Sequence, residues 1–191
     1  MMDKTTRDTL RNANFQDTYI HTVDQPWIPF SEGIDIKVLR TSAETGTWSA
    51  LFQCAKGSAF ARHEHLGSGE YLMLTGKMEV RGGVQKGGIT AYPGDYGYEP
   101  NGVIHDSTCF VEDSTFYFTN FGPIKFIDDE DKTLFVLDWQ GLRAIEAQGK
   151  EKLGTLRFHL NMRCEFCEGA VEMARPMSER VVRHAEPTRP K

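Results

Sequence analysis

The sequence predicts an all-β domain of the jelly-roll type, followed by a short C-terminal helix and a tail. From about Trp27 onward, strand-like runs are short and closely spaced. Glycine, proline or acidic clusters separate nearly all of these runs, and no long helical pattern lies between them. Together these observations favour a sandwich or barrel over a parallel α/β sheet.

The individual segments follow this pattern in chain order. Residues 34–39 and 47–54 alternate between apolar and polar side chains, as half-buried strands do. Further strand-like runs occupy residues 71–74, 77–81, 104–111, 115–121, 124–127 and 133–137. The segment 139–148 predicts a helix that closes one side of the domain. We therefore expect an N-terminal extension over 1–20, the β domain over 21–140, and the helix and appended tail over 141–191.

Composition excludes several classes of function. The chain has 191 residues and a formal net charge of −5, and it has no lysine and arginine cluster dense enough to follow a phosphate backbone. An acidic surface also binds anionic membranes poorly. The first twenty residues lack the apolar core of a secretory signal, and no stretch approaches the roughly 20 apolar residues that span a bilayer. We expect a cytoplasmic protein whose main partners are neither nucleic acid nor membranes.

Four cysteines occur in two contexts. Cys54 and Cys109 lie in apolar, alternating segments, so we expect both to be reduced core residues. Cys164 and Cys167 form a C-x-x-C motif in the tail, which alone is a weak metal signal because a closed zinc site needs two further ligands.

The chemistry is concentrated in a two-part histidine motif. Its first half is Gly57-x5-His63-x-His65-x4-Glu70-x5-Gly76, and its second is Gly94-x5-Pro100-x-Gly102-x2-His105. Residues i and i+2 of a strand project from the same face, so His63 and His65 can aim at one point. Turns at the glycines and proline would bring His105 onto that point. Three neutral imidazoles suit a first-row divalent metal and leave positions open for substrate. An isolated H-x-H is common without a metal, and the second half of the motif is what makes a metal site the better interpretation.

These two halves resemble the characteristic motifs of the cupin superfamily, and residues 57–129 resemble the acetylacetone dioxygenases, which are β-diketone-cleaving cupins. The phrases that carry the resemblance are GSAFARHEH at 57–65, GEY at 69–71, KMEVRGG at 77–83, GG at 87–88, TAY at 90–92 and GPIKFIDD at 122–129. The resemblance covers roughly residues 20–140. It weakens at 96–105, where Pro100 and Asn101 are closer to the general cupin pattern, and the tail after about Gly149 has no counterpart.

The resemblance implies a cupin jelly-roll β-barrel with Fe(II) as its cofactor. It also implies His63, His65 and His105 as the iron ligands. Many cupins add a carboxylate at the position of Glu70, whereas the β-diketone-cleaving enzymes are three-histidine centres. Glu70 is therefore left out of the expected ligand set.

Carried over to this sequence, the resemblance also implies four polar residues that line or brace the site, Tyr71, Arg81, Glu99 and Thr108. The implied reaction cleaves a C–C bond of a β-dicarbonyl compound with dioxygen, giving a carboxylic acid and a 2-oxoaldehyde. The expected partners are that small molecule, dioxygen and further copies of the chain in a homo-oligomer. The identity of the diketone is left open.

Two alternatives remain at this point. The first is a related cupin dioxygenase that acts on an aromatic hydroxyketone and uses the same ligands. The second is a zinc-binding sensor cupin without turnover, in which a tail site would combine Cys164 and Cys167 with His159 and His184.

Overall fold

The computed structural model describes residues 19–151, which form short β-strands followed by one α-helix. The strands are β1 (Ile28–Ser31), β2 (Ile34–Thr41), β3 (Trp48–Cys54), β4 (Ala59–Phe60), β5 (His63–His65), β6 (Gly69–Thr75), β7 (Met78–Val80), β8 (Ile89–Ala91), β9 (Tyr96–Glu99), β10 (Ile104–His105), β11 (Thr108–Phe110), β12 (Ser114–Asn120), β13 (Ile124–Ile127) and β14 (Thr133–Leu137). The helix is α1 (Trp139–Glu151), and a 3₁₀ turn (Val84–Lys86) lies between β7 and β8.

The strands form three antiparallel sheets. The largest has the order β1-β2-β3-β12-β6-β9, and the two four-stranded sheets have the orders β10-β5-β13-β14 and β4-β11-β7-β8. Neighbours in each sheet are often distant in sequence, as expected for a jelly roll rather than a meander. The prediction of an all-β jelly-roll fold with a short C-terminal helix is confirmed.

One apolar core contacts all three sheets. It contains Phe52 of the large sheet, Phe126 of the second sheet and Phe110 of the third. Alternation along β12 shows how the sequence builds this core, because Phe116 and Phe118 are buried while the residue between them, Tyr117, is 36 % exposed. Burying one such phenylalanine contributes about 1.5–3 kcal/mol.

Helix α1 belongs to the same core. Its Leu142 is fully buried and its Ile145 nearly so, and the helix packs against β1, β2 and β14. The carboxylate of Asp138 accepts a 2.8 Å hydrogen bond from the backbone N–H of Gly141, which caps the first turn. A Cβ added to Gly149 would lie 2.3 Å from Cγ2 of Ile28, so this glycine allows the close approach of the helix to β1.

The predicted strand at 104–111 is two strands. Its first part, Ile104–His105, pairs with β5, whereas Thr108–Phe110 pairs with β4 and β7. The chain therefore passes from one sheet to another between His105 and Thr108. A continuous apolar pattern cannot show this, because both halves are buried on the same core.

The two cysteines in the described part of the chain differ in oxidation state. Cys54 is a buried free thiol, as predicted, but Cys109 is disulfide-bonded, so the prediction of a reduced Cys109 is wrong. The prediction rested on apolar alternation, which indicates burial. Both cysteines are buried, but alternation carries no information on disulfide formation.

The tail zinc hypothesis, with Cys164, Cys167, His159 and His184, lies outside the described residues, as does most of the predicted N-terminal extension. Within 19–151, no helix combines the length and the apolar character that crossing a membrane requires.

Candidate metal centre

The structure brings the three predicted histidines together. His63 and His65 occupy the ends of β5, and His105 of β10 stands directly opposite His63 in the antiparallel pair. The three rings are mutually 5.1–5.2 Å apart between centroids, and one nitrogen from each lies within 4.8 Å of the others. All three side chains are buried.

Hydrogen bonds at Nδ1 fix the tautomers of the two histidines on β5. Nδ1 of His63 lies 2.6 Å from the carbonyl oxygen of Ala61, and Nδ1 of His65 lies 3.2 Å from Oδ1 of Asn120. The amide of Asn120 donates from Nδ2 to the carbonyl of Gly122 at 2.6 Å, so its oxygen faces His65. Since carbonyl oxygens only accept, Nδ1 carries the proton in both rings and Nε2 keeps its lone pair.

Asn120 is the functional residue that the sequence analysis missed. It ends β12 at the inward-facing position after Phe118 and is fully buried. Its partner across the sheet is Gly69, where an added Cβ would lie 2.8 Å from the Phe118 ring and 3.0 Å from Oδ1 of Asn120. The indole of Trp48 donates to the same carbonyl of Gly122 at 3.1 Å, so this polar network is braced from two sides. The available signal was an amide at a position whose alternation predicts an apolar side chain.

Burial keeps the imidazoles neutral. It is the main cause that lowers the pKa of His63 to about 3 and that of His105 to about 4, with the neighbouring His65 as a further cause in both. Burial also lowers the pKa of His65. At neutral pH the cluster therefore presents uncharged nitrogen ligands.

These residues fit a bound cation. Among residues 19–151, the buried Nε2 of His65 has no hydrogen-bond partner. Oε2 of Glu99 lies 3.3 Å away from it but not in hydrogen-bonding geometry. Leaving such a group unpaired costs about 1–3 kcal/mol. Neutral imidazoles with converging lone pairs suit a first-row divalent metal such as Fe(II) or Zn(II).

Glu99 is the carboxylate nearest the cluster. It ends β9, and its Oε1 lies 3.5 Å from Nδ1 of His105. Burial raises the pKa of Glu99 to about 7, and the charge of Arg81 opposes that rise. The Arg81 side chain is exposed and does not line the cavity. The backbone of Arg81 is left-handed, with a φ of 52°, and its N–H donates a 2.8 Å hydrogen bond to the carbonyl oxygen of Ser107. This turn keeps the guanidinium close enough to affect the charges of the site.

Tyr71 and Thr108 line the same cavity. Burial is the main cause that raises the pKa of Tyr71 to about 12, with the charge of Glu99 contributing, so the phenol stays protonated. Its ring lies across Gly97, where an added Cβ would be 2.1 Å from two ring carbons. The hydroxyl of Thr108 is buried and has no hydrogen-bond partner in the described part of the chain, which makes it a second polar atom available to a ligand.

Glu70 lies on the opposite face of β6 from Tyr71, because adjacent strand residues alternate. It hydrogen-bonds the exposed Tyr96 and does not belong to the cluster that could hold a metal. This position agrees with leaving Glu70 out of the expected ligand set.

The cavity at the histidines is small, about 50 Å³, and mostly apolar. Its aromatic walls include Phe60, Phe116, Phe118 and Phe126, and the ring of Phe126 lies 5.6 Å from that of His63. A few polar groups in an apolar pocket are typical of small-molecule sites.

Comparison with known proteins identifies the family of the chain. The sequence profile of the ChrR cupin-like domain matches residues 15–125. The acetylacetone-cleaving enzyme of Acinetobacter johnsonii is 45 % identical over 147 residues, which span 74 % of this chain and 93 % of that protein.

Solved structures give the same result. The crystal structure of an acetylacetone dioxygenase from Acinetobacter johnsonii has a TM-score of 0.68 and 40 % identity, covering 71 % of this chain and 95 % of that one. A protein of Methylibium petroleiphilum, described as a candidate acetylacetone dioxygenase, has a TM-score of 0.68 and 38 % identity, covering 70 % and 96 %. The chain therefore belongs to the cupin superfamily, in the family that includes the acetylacetone-cleaving enzymes.

Proposed function

We propose that this protein is an Fe(II)-dependent dioxygenase that cleaves a C–C bond of a β-dicarbonyl compound. The observation that carries the proposal is the cluster of three buried, neutral histidines in a small apolar cavity; the similarity to an acetylacetone-cleaving enzyme supports it. In the balanced reaction, one β-diketone and one dioxygen give one carboxylic acid and one 2-oxoaldehyde.

His63, His65 and His105 would hold the iron. Neutral ligands leave the ion its full 2+ charge, which favours an anionic enolate over a neutral molecule. When bound, the iron supplies a chelating position for the two substrate oxygens and the redox chemistry that dioxygen requires. Three protein ligands leave coordination positions for that chelate.

The surrounding side chains handle protons and charge. Glu99 is the carboxylate nearest the three rings, so its carboxylate oxygens can accept the proton that the dicarbonyl loses as it becomes an enolate. The charge of Arg81 reaches Glu99 and His105 and stabilises negative charge there. The hydroxyl groups of Tyr71 and Thr108 can donate hydrogen bonds to substrate oxygens. The aromatic walls exclude water, which strengthens each of these interactions.

Oxygen uptake by purified protein tests the proposal. Protein loaded with Fe(II) under anaerobic conditions should consume oxygen when acetylacetone is added, and the zinc-loaded form should not, because Zn(II) has no accessible redox state. Uptake with aromatic hydroxyketones alone would favour the related dioxygenase. If neither class causes uptake while zinc binds tightly, the sensor interpretation replaces catalysis.

A further inference from the structure

A second cavity, which we call the side chamber, lies between α1 and the sheet that carries β13 and β14. Its volume is about 240 Å³, about five times that of the cavity at the histidines. Phe135 and Val136 line it from β14, and Gly141, Ala144 and Ile145 line it from the helix.

The side chamber shares a wall with the metal centre. Phe30, Phe126 and Leu137 line both cavities. The ring of Phe126 lies 5.6 Å from the ring of His63 and stacks on Phe135 at 4.4 Å. The two spaces are therefore separated by a single layer of side chains.

The lining of the side chamber is almost entirely apolar. The chamber is open to solvent on its outer side, where Val136 and Ala144 are exposed, and its inner wall is formed by the buried side chains of Phe30, Phe126 and Leu137. The helix contributes the small residues Gly141 and Ala144 where larger side chains would fill the space. Ser31 adds a buried hydroxyl that forms no hydrogen bond with any residue the structure describes. The chamber thus offers apolar surface and one polar atom to a ligand.

We propose that the side chamber receives the apolar substituent, aryl or long alkyl, of an unsymmetrical β-diketone whose dicarbonyl group lies at the three histidines. This inference rests on the proposed function and specifies its substrate class. The histidine cavity suits a small dicarbonyl head, and the larger side chamber begins behind Phe126 and Leu137. A substituent that passes these side chains extends toward α1.

A pair of helix variants tests the inference. Ala144→Phe places a ring in the side chamber, whereas Ala147→Phe adds the same ring at another exposed helix position that does not line it. For Ala144→Phe, kcat/KM for 1-phenyl-1,3-butanedione should fall at least about tenfold relative to kcat/KM for acetylacetone, the range associated with losing small apolar contacts. For Ala147→Phe, that ratio should stay at the wild-type value. An unchanged ratio in properly folded Ala144→Phe would overturn the inference.

Binding without turnover separates this inference from the proposed function. Calorimetry on zinc-loaded protein should show that Ala144→Phe weakens binding of 1-phenyl-1,3-butanedione about tenfold more than binding of acetylacetone. If iron-loaded protein takes up no oxygen but this selectivity is present, the proposed function fails and the chamber assignment stands. If oxygen uptake is normal and both ligands are affected equally, the chamber assignment fails alone.

Discussion

Replacing Asn120 by leucine should weaken the metal site, although Asn120 itself is not a proposed ligand. Leucine has a similar size, so the change removes the acceptor at 3.2 Å from Nδ1 of His65 with little change in packed volume. The freed Nδ1–H stays buried without a partner, which costs about 1–3 kcal/mol. The carbonyl of Gly122 keeps its bond from the Trp48 indole, so no second group is stranded. A loss of about 2 kcal/mol corresponds to a melting temperature lower by roughly 4–8 °C.

The larger effect of Asn120→Leu should be on metal affinity. Losing a partner that orients a metal-binding histidine typically weakens affinity 10- to 100-fold, or about 1.4–2.8 kcal/mol. Competition with a chromophoric chelator measures this for Zn(II) and, anaerobically, for Fe(II). Thr119→Val is the matched control, because the hydroxyl of the neighbouring Thr119 forms hydrogen bonds with Ser49 and Tyr117 on the other face of the sheet. Wild-type affinity in folded Asn120→Leu would refute the positioning role.

Three further predictions concern the surroundings of the site. Arg81→Ala and Glu99→Gln should show wild-type metal content in elemental analysis but take up oxygen about 10- to 100-fold more slowly. Loss of metal in either variant would instead show that the residue contributes to metal binding. Gly97→Ala should displace the Tyr71 ring, because the added Cβ would lie 2.1 Å from its ring carbons. Turnover should then fall while the metal content stays full; unchanged turnover would show that the position of the Tyr71 ring does not matter for the reaction. A chain ending at Glu151, compared under reducing conditions with the full chain, should retain metal and turnover, since every proposed site residue precedes that point; loss of either would move the domain boundary into the tail.

The sequence predicts the long strands well and the short ones poorly. The seven residues of β12 (Ser114–Asn120) alternate throughout in burial. The eight residues of β2 (Ile34–Thr41) alternate in sequence over their first half, although Lys37 is buried together with its apolar neighbours. The three residues of β5 (His63–His65) are too few to show any period, although they carry two of the three histidines. Motif spacing, rather than periodicity, identified them.

The metal cluster was predictable because its residues recur at fixed offsets in the chain, and the turns between them have recognisable glycines. Asn120 was not, because it reaches His65 across 55 sequence positions and resembles any strand-end amide. The side chamber was not predictable either. It depends on how α1 sits over β14, with Gly141 and Ala144 facing a space that only the tertiary structure defines.

Isotope labelling of the carboxylic acid tests the central claim most directly. Wild-type protein loaded with Fe(II) should turn acetylacetone and ¹⁸O₂ into acetate that carries one labelled oxygen, with an equal amount of 2-oxopropanal. His105→Ala, which removes one of the three histidines, should bind little iron and form neither product. Unlabelled acetate accompanied by acetone, formed equally well without oxygen, would show hydrolytic cleavage and contradict the dioxygenase assignment.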